Sequence, residues 1–210
     1  APQPSKPAKQ KTSQPYAVLH IMPQWRYKQW HIAGWLAVID FLVAQDLQII
    51  LSGGHQSNEL DYLNSIITLS KHPVMNLAGQ LSLAELSETI RHAQVFIGPD
   101  TGITHLAAAT GTPVIAIFGP TDPQIWAPWP QGYKGDKAPF LPRGTQTVKN
   151  VTVLQDNTDR NCLPCQGEGC DRHRQSHSAC LDSLSSTQVI DALTKILNSV
   201  DNKPIFRTDS

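Results

Sequence analysis

Phe96-Ile97-Gly98-Pro99-Asp100-Thr101-Gly102-Ile103-Thr104-His105-Leu106-Ala107-Ala108-Ala109 reads as a strand, a tight polar turn and the start of a helix. Residues 95–98 are a short apolar run, and residues 102–110 are a small-residue helix ended by Gly111. Just upstream, Ser82 and Glu85 form a capping-box pattern for a helix to about residue 92. Just downstream, residues 113–118 are another apolar strand, followed by Gly119-Pro120. The alternation extends in both directions. Strand-like runs at residues 16–22, 47–51 and 74–77 are separated by helical spacing at 30–44 and 59–70. A strand is expected again over 146–154 and a final helix over 185–199, capped by Ser185 and Gln188. Short apolar strands alternating with helices predict an α/β fold: a Rossmann-like parallel sheet with helices on both faces.

Three segments fall outside that rhythm. Residues 1–15 hold four prolines and three lysines with almost nothing to bury, and read as a linker or disordered lead. Residues 121–143 are rich in Pro, Gly and Trp and read as an ordered surface loop. All four cysteines fall within residues 162–180, an insertion in a domain that runs over residues 16–200, and residues 201–210 form a tail. The sequence starts at Ala1 rather than Met, which fits either a fragment or a processed product. No signal-peptide pattern and no apolar run of the ~18–20 residues needed for a membrane span is visible.

The 210 residues are 40% hydrophobic and 16% charged, an ordinary globular composition. Lys plus Arg balance Asp plus Glu at 17 each, so nothing electrostatic points to nucleic acid or an anionic membrane as the main partner. An anion site must therefore be local.

The Asp100 turn is the place for one. In open α/β sheets ligands sit at the carboxyl ends of strands. A helix that starts there presents free N–H groups and the positive end of its dipole. Gly102 lets a phosphate approach the backbone, and Thr101 adds a hydroxyl donor. On a purely structural reading, Asp100 or Thr101 is only a cap, Gly102 relieves the turn, and His105 is a surface or packed histidine. Lys28, after the first strand, puts a point charge suited to a diphosphate at the same sheet edge, whereas Trp30 suits packing on a helix face. Gly53-Gly54 follows the second strand and makes space there. Glu59 beyond it is placed either to accept from ribose hydroxyls or simply to start a helix. Thr121, in Phe118-Gly119-Pro120-Thr121-Asp122-Pro123, falls beside the Asp100 turn if the strands neighbour each other in chain order. No GxGxxG follows the first strand, which lowers a dinucleotide reading.

Taken together, Lys28-x-Trp30, Gly53-Gly54, Asp100-Thr101-Gly102-x-x-His105-x-Ala-Ala-Ala and Phe118-Gly-Pro-Thr-Asp-Pro123 resemble glycosyltransferase family 9, the ADP-heptose:lipopolysaccharide heptosyltransferases. The resemblance covers about residues 16–129. It implies the C-terminal, donor-binding half of a two-domain GT-B enzyme. An N-terminal domain would hold the acceptor and the general base, so no base is nominated in this sequence. Carried across, Lys28 would meet the phosphates, Glu59 the ribose, and Thr101 and Gly102 the diphosphate. Asp100 and His105 would shape the turn or touch the sugar, with Thr121 beside them. The implied reaction is inverting transfer from an ADP-sugar to a lipopolysaccharide-core acceptor, with no catalytic cofactor. The implied setting is the cytoplasm, with at most peripheral contact at the inner face of the inner membrane. Two other classes stay open: a non-catalytic nucleotide- or metal-binding interaction module, and a GT-B-like epimerase or hydrolase.

Cys162-x-x-Cys165-x4-Cys170-x9-Cys180 admits a structural Zn²⁺ or iron, free thiols, or two disulfides. A cytoplasmic setting disfavours disulfides. Similar cysteine-rich tails belong to the resemblance.

Overall fold

The computed structural model describes residues 14–156, 160–165 and 167–201, apart from the side chains of residues 57–59, 200 and 201. The lead up to residue 13 and the tail from residue 202 lie outside the described residues.

Each expected apolar run is a strand. They are β1 (Tyr16–His20), β2 (Gln48–Ser52), β3 (Met75–Asn76), β4 (Val95–Pro99), β5 (Val114–Phe118), β6 (Gln146–Val148) and β7 (Val151–Gln155). They form one sheet in the order β3-β2-β1-β4-β5-β7-β6, parallel throughout except for β6 at the edge. Between them run α1 (Ile32–Ala44), α2 (Ser57–Leu69), α3 (Leu83–Arg91) and α4 (Gly102–Ala109), and α7 (Ser186–Asp201) follows the last strand. Single-turn helices α5 (Pro123–Trp126) and α6 (Ala179–Asp182) and a 3-10 turn at Arg26–Lys28 complete the set.

Every residue of β4, β5 and β7 is buried. Strands covered on both faces need apolar residues at every position, whereas one-sided strands alternate. Side chains still point alternately to the two faces. Ala17, Leu19, Ile97 and Ile115 join a cluster with Trp35 and Leu42 of α1, Leu63 of α2 and Leu193 of α7. Val18, Phe96, Ala116 and Phe118 join the opposite cluster, with Leu86 and Ile90 of α3 and Ala107 of α4.

Both expected capping boxes are present. Ser82 and Glu85 bond reciprocally, as do Ser185 and Gln188. Trp30 packs as expected: it is 1% exposed, edge-on to Trp35 at 5.2 Å. Helix α1 starts later than the spacing predicts, because His31 serves as its cap and accepts from the Gly34 N–H. The expected single strand over 146–154 is instead an antiparallel hairpin, with Val148 opposite Val151. Its reversal lies at Lys149, in the left-handed region at φ 51°, and Asn150, whose amide donates to the Ala108 and Thr112 carbonyls. Residues 121–143 are the expected irregular segment, except that Asp122 caps α5 by accepting from the Gln124 N–H.

Candidate functional site

The strand order places a crevice. After β1 the chain builds outward through β2 and β3, then returns to β4 on the other side of β1. Where strand order reverses, the loops after neighbouring strands part and leave a cleft at their carboxyl ends. The loops after β1, β4 and β5 carry Lys28, Asp100 and Thr121.

These three side chains meet. The Lys28 ammonium lies 2.6 Å from Asp100 Oδ2, and the Thr121 hydroxyl donates to the same oxygen at 2.9 Å. Asp100 is 6% exposed and Lys28 18%. A carboxylate this buried needs partners, and here one oxygen has two. Asp100 therefore ties the three loops together. Lys28 has further ammonium protons beyond that bond and stays partly exposed.

Beside this knot, α4 starts at the cap residue Thr101, whose extended backbone (φ -144°, ψ 163°) is followed directly by helix. No side chain caps the helix. Thr104 is turned the other way: its hydroxyl donates to the Pro99 carbonyl at 2.5 Å and lies 3.3 Å from that of Thr101. The first helical N–H groups are thus left for a partner from outside, and the dipole favours an anion. Gly102 is exposed, and a Cβ built on it would meet no atom within 4 Å. Nothing within the fold demands glycine there. The space above its backbone is open. His105 is exposed one turn into α4.

Other expected residues are placed differently. Glu59 lies in the first turn of α2, and its side chain is outside the described residues. Gly53 does not open space for a ligand. A Cβ there would meet Leu63 at 3.0 Å and Ala78 at 3.3 Å, so its small size serves packing. The cysteines carry free thiols: Cys162, Cys165 and Cys170 are exposed and Cys180 is buried. Burial, with Cys165 and Cys170 nearby, pushes the Cys180 thiol up to about 12. Among the described residues no group of three or more His, Cys, Asp or Glu side chains is arranged to hold a metal ion. The donor chemistry suits a thiolate cage, and the closed geometry of one is not formed.

Four polar residues at the same edge escaped the sequence reading. His20 ends β1, is 7% exposed, and its Nδ1 lies 3.1 Å from the Ser52 hydroxyl at the end of β2. Burial pulls its pKa down to about 4, so the ring is neutral at neutral pH. Gln155 ends β7 fully buried and donates to the Gly119 and Thr121 carbonyls, which fixes the turn that carries Thr121. Asp156 accepts from Arg160 Nε and from the Ser183 hydroxyl, both at 2.7 Å, and anchors the cysteine-bearing segment to the sheet. A polar residue closing an apolar strand run was the available signal, the same one that marked Asp100.

A model of glycosyltransferase family 9 (heptosyltransferase) matches residues 2–138, well over half of the chain. The chain belongs to that family. Lipopolysaccharide heptosyltransferase 3 of Escherichia coli is 39% identical over 117 residues, which cover 55% of this chain and 34% of that protein. Among solved structures, the E. coli ADP-heptose lipopolysaccharide heptosyltransferase II superposes with a TM-score of 0.68 at 17% identity, over 90% of this chain and 48% of that one. The iron-containing dodecameric glycosyltransferase TibC of enterotoxigenic E. coli gives 0.62 at 19%, over 90% and 46%. These similarities show the same fold. The chain spans between about three tenths and a half of the length of the relatives it matches.

Proposed function

We propose that this chain is the donor-binding half of a heptosyltransferase, which holds ADP-heptose or a related ADP-sugar for inverting transfer to a lipopolysaccharide-core acceptor. The observation that carries the reading is the junction at Asp100, which sets a lysine beside an uncapped helix start with open space over Gly102. The family match and the heptosyltransferase activity of the relatives support the same reading.

In the reaction the acceptor hydroxyl attacks the anomeric carbon opposite the ADP. The bond from that carbon to the diphosphate oxygen breaks, and a general base takes the hydroxyl proton. An acceptor domain contributed from outside this segment supplies the base. The described residues act on the leaving group. Lys28 and the N–H groups of Gly102 and Ile103 meet the departing diphosphate with charge already in place, so no reorganisation is needed as negative charge develops. Asp100 holds Lys28, Thr121 holds Asp100, and Thr101 lines the turn. On this reading His105 shapes the turn or contacts the sugar, and Glu59 is assigned to the ribose. The proposed setting is the cytoplasm, with at most peripheral contact at the inner face of the membrane. No described helix is long and apolar enough to cross one. If Cys162, Cys165, Cys170 and Cys180 close around a structural Zn²⁺ or iron, the ion would tie down their segment without entering the chemistry.

Calorimetry of the 210-residue chain with ADP, UDP and NAD tests this. ADP should bind in preference to the others, and the chain alone should transfer no sugar. Preference for UDP would move the protein to the epimerase or hydrolase class. No nucleotide binding would make it an interaction module. Robust transfer by the purified chain would overturn the division of labour.

A further inference from the structure

The segment that carries the cysteines reaches back over the loop that carries Lys28. The Ser178 hydroxyl donates to the Tyr27 carbonyl at 2.6 Å, one residue before Lys28. The Arg174 guanidinium lies 4.3 Å from the centre of the Trp25 ring. Trp30 Nε1 donates to the Leu184 carbonyl at 2.9 Å, and His31 Nε2 lies 3.1 Å from the same oxygen. The loop is thus gripped on both sides of Lys28 by residues of one distant segment.

That segment has a firm footing. Leu181 packs so closely on Gly119, at the end of β5, that a Cβ there would lie 2.8 Å from it. Ser183 is tied to Asp156, just beyond β7. The footing is on β5 and β7 while the grip is on the loop after β1, so the segment spans the crevice edge. Asp100 holds the Lys28 ammonium from outside the loop, whereas the loop's own backbone has few internal bonds. Its 3-10 turn is closed by two backbone bonds, Lys28 N–H to the Trp25 carbonyl and Gln29 N–H to the Arg26 carbonyl, and has no side-chain cap. Lysine has a flexible four-carbon stem. Whether its ammonium can keep the Asp100 bond and stay at the start of α4 therefore depends on where the backbone at 27–28 is held.

We infer that Ser178, flanked by Arg174, is a positioning residue: it holds the Tyr27–Lys28 backbone so that the Lys28 ammonium stays at the start of α4, ready for the donor's diphosphate. The inference rests on the reading of Lys28 as a phosphate contact. Ser178 touches no ligand itself. It is 3% exposed, and its hydroxyl is spent on the Tyr27 carbonyl.

A double-mutant cycle decides it, with ADP and adenosine titrated into the full chain and into Ser178→Ala, Ser178→Thr, Lys28→Ala and Ser178→Ala/Lys28→Ala. Loss of the hydrogen bond that holds the loop should weaken ADP by up to about tenfold in Ser178→Ala. Adenosine, which has no phosphate, should bind as to the parent, which also shows the variant folded. Ser178→Thr keeps the hydroxyl and should restore ADP. In the Lys28→Ala background, Ser178→Ala should cost nothing further, because its only route to the ligand is gone. If Ser178→Ala loses adenosine too, it has not folded, and Arg174→Met, which keeps the stem and removes the cation over Trp25, is carried through the same cycle. Parental ADP affinity in the serine variant, or in that substitute, overturns the inference. So does a serine effect that persists without Lys28. If Lys28→Ala itself binds ADP like the parent, the donor-site reading fails first, and that outcome is distinct from the other two.

Discussion

Gly102 offers a test in which stability and binding should move in opposite directions. The residue is the first of α4, and it has no positive φ and no neighbour within 4 Å of a built Cβ. Replacing it with Ala therefore strains nothing and clashes with nothing. It removes backbone freedom from the unfolded chain, worth about 0.5–1 kcal/mol of added stability. For a domain of this size that is a rise in Tm of roughly 1–4 °C. Binding should respond differently. A phosphate that accepts from the N–H groups of Gly102 and Ile103 must sit over the Gly102 backbone, in the space that a side chain would enter. Val, with two methyls, should displace it and cost one to two charge-assisted hydrogen bonds, each about 1.5–3 kcal/mol. ADP affinity should fall by roughly 10- to 10,000-fold, with Ala intermediate. Thermal melts and ADP calorimetry on both variants read the two quantities. Adenosine should bind all three proteins alike. Parental ADP affinity in Gly102→Val would show that the helix start is not where the anion sits. A marked drop in Tm would show that the open space over Gly102 is not real.

Two further outcomes are expected. His20 has its folded pKa lowered by burial from 6.5 to about 4. Its contribution is therefore complete above pH 6.5 and is lost as pH falls toward 4, amounting to about 3 kcal/mol. Urea denaturation of the parent and His20→Gln across pH 7 to 4 should show the parent losing stability more steeply, and parallel profiles would refute the assignment. If the four cysteines share one ion, elemental analysis of reduced protein should find about one Zn or Fe per chain, and Cys162→Ser should lower Tm. Metal-free protein with an unchanged melt would remove the ion.

The fold was legible because fully covered strands carry near-continuous apolar runs, and residues 95–98 and 113–118 show them plainly. The hairpin was not. Gln146 to Leu154 keeps a strand's composition across its reversal, and only the left-handed backbone at Lys149 breaks the run. At the site, the Asp100 turn was legible from its polar residues between strand and helix. The meeting of Asp100 with Thr121 followed from chain order, because β4 and β5 are neighbours. The bond from Lys28 to Asp100 was read only as a shared edge, since no local pattern encodes a contact across the switch in strand order. Gly53 misled for a related reason. Glycine beside a crevice and glycine beneath a packed leucine look alike until Leu63 is placed. The bracing by Gln155, Asp156 and Ser178 was invisible because each acts on a carbonyl or side chain far away in sequence.

The junction at Asp100 also bears on the order in which the molecule assembles. Its bond to Thr121 closes a span of 21 residues within one βαβ unit, whereas its bond to Lys28 closes a span of 72. Short closures form early and long ones wait on the central strand pairing. A chain still emerging or half-collapsed can own the Asp100 turn and its helix yet lack the lysine. If Lys28 meets the donor's diphosphate as proposed, its share of the affinity comes only once β1 and β4 are paired, so an intermediate holding just the Asp100 turn has the helix start but not the lysine with which to grip nucleotide.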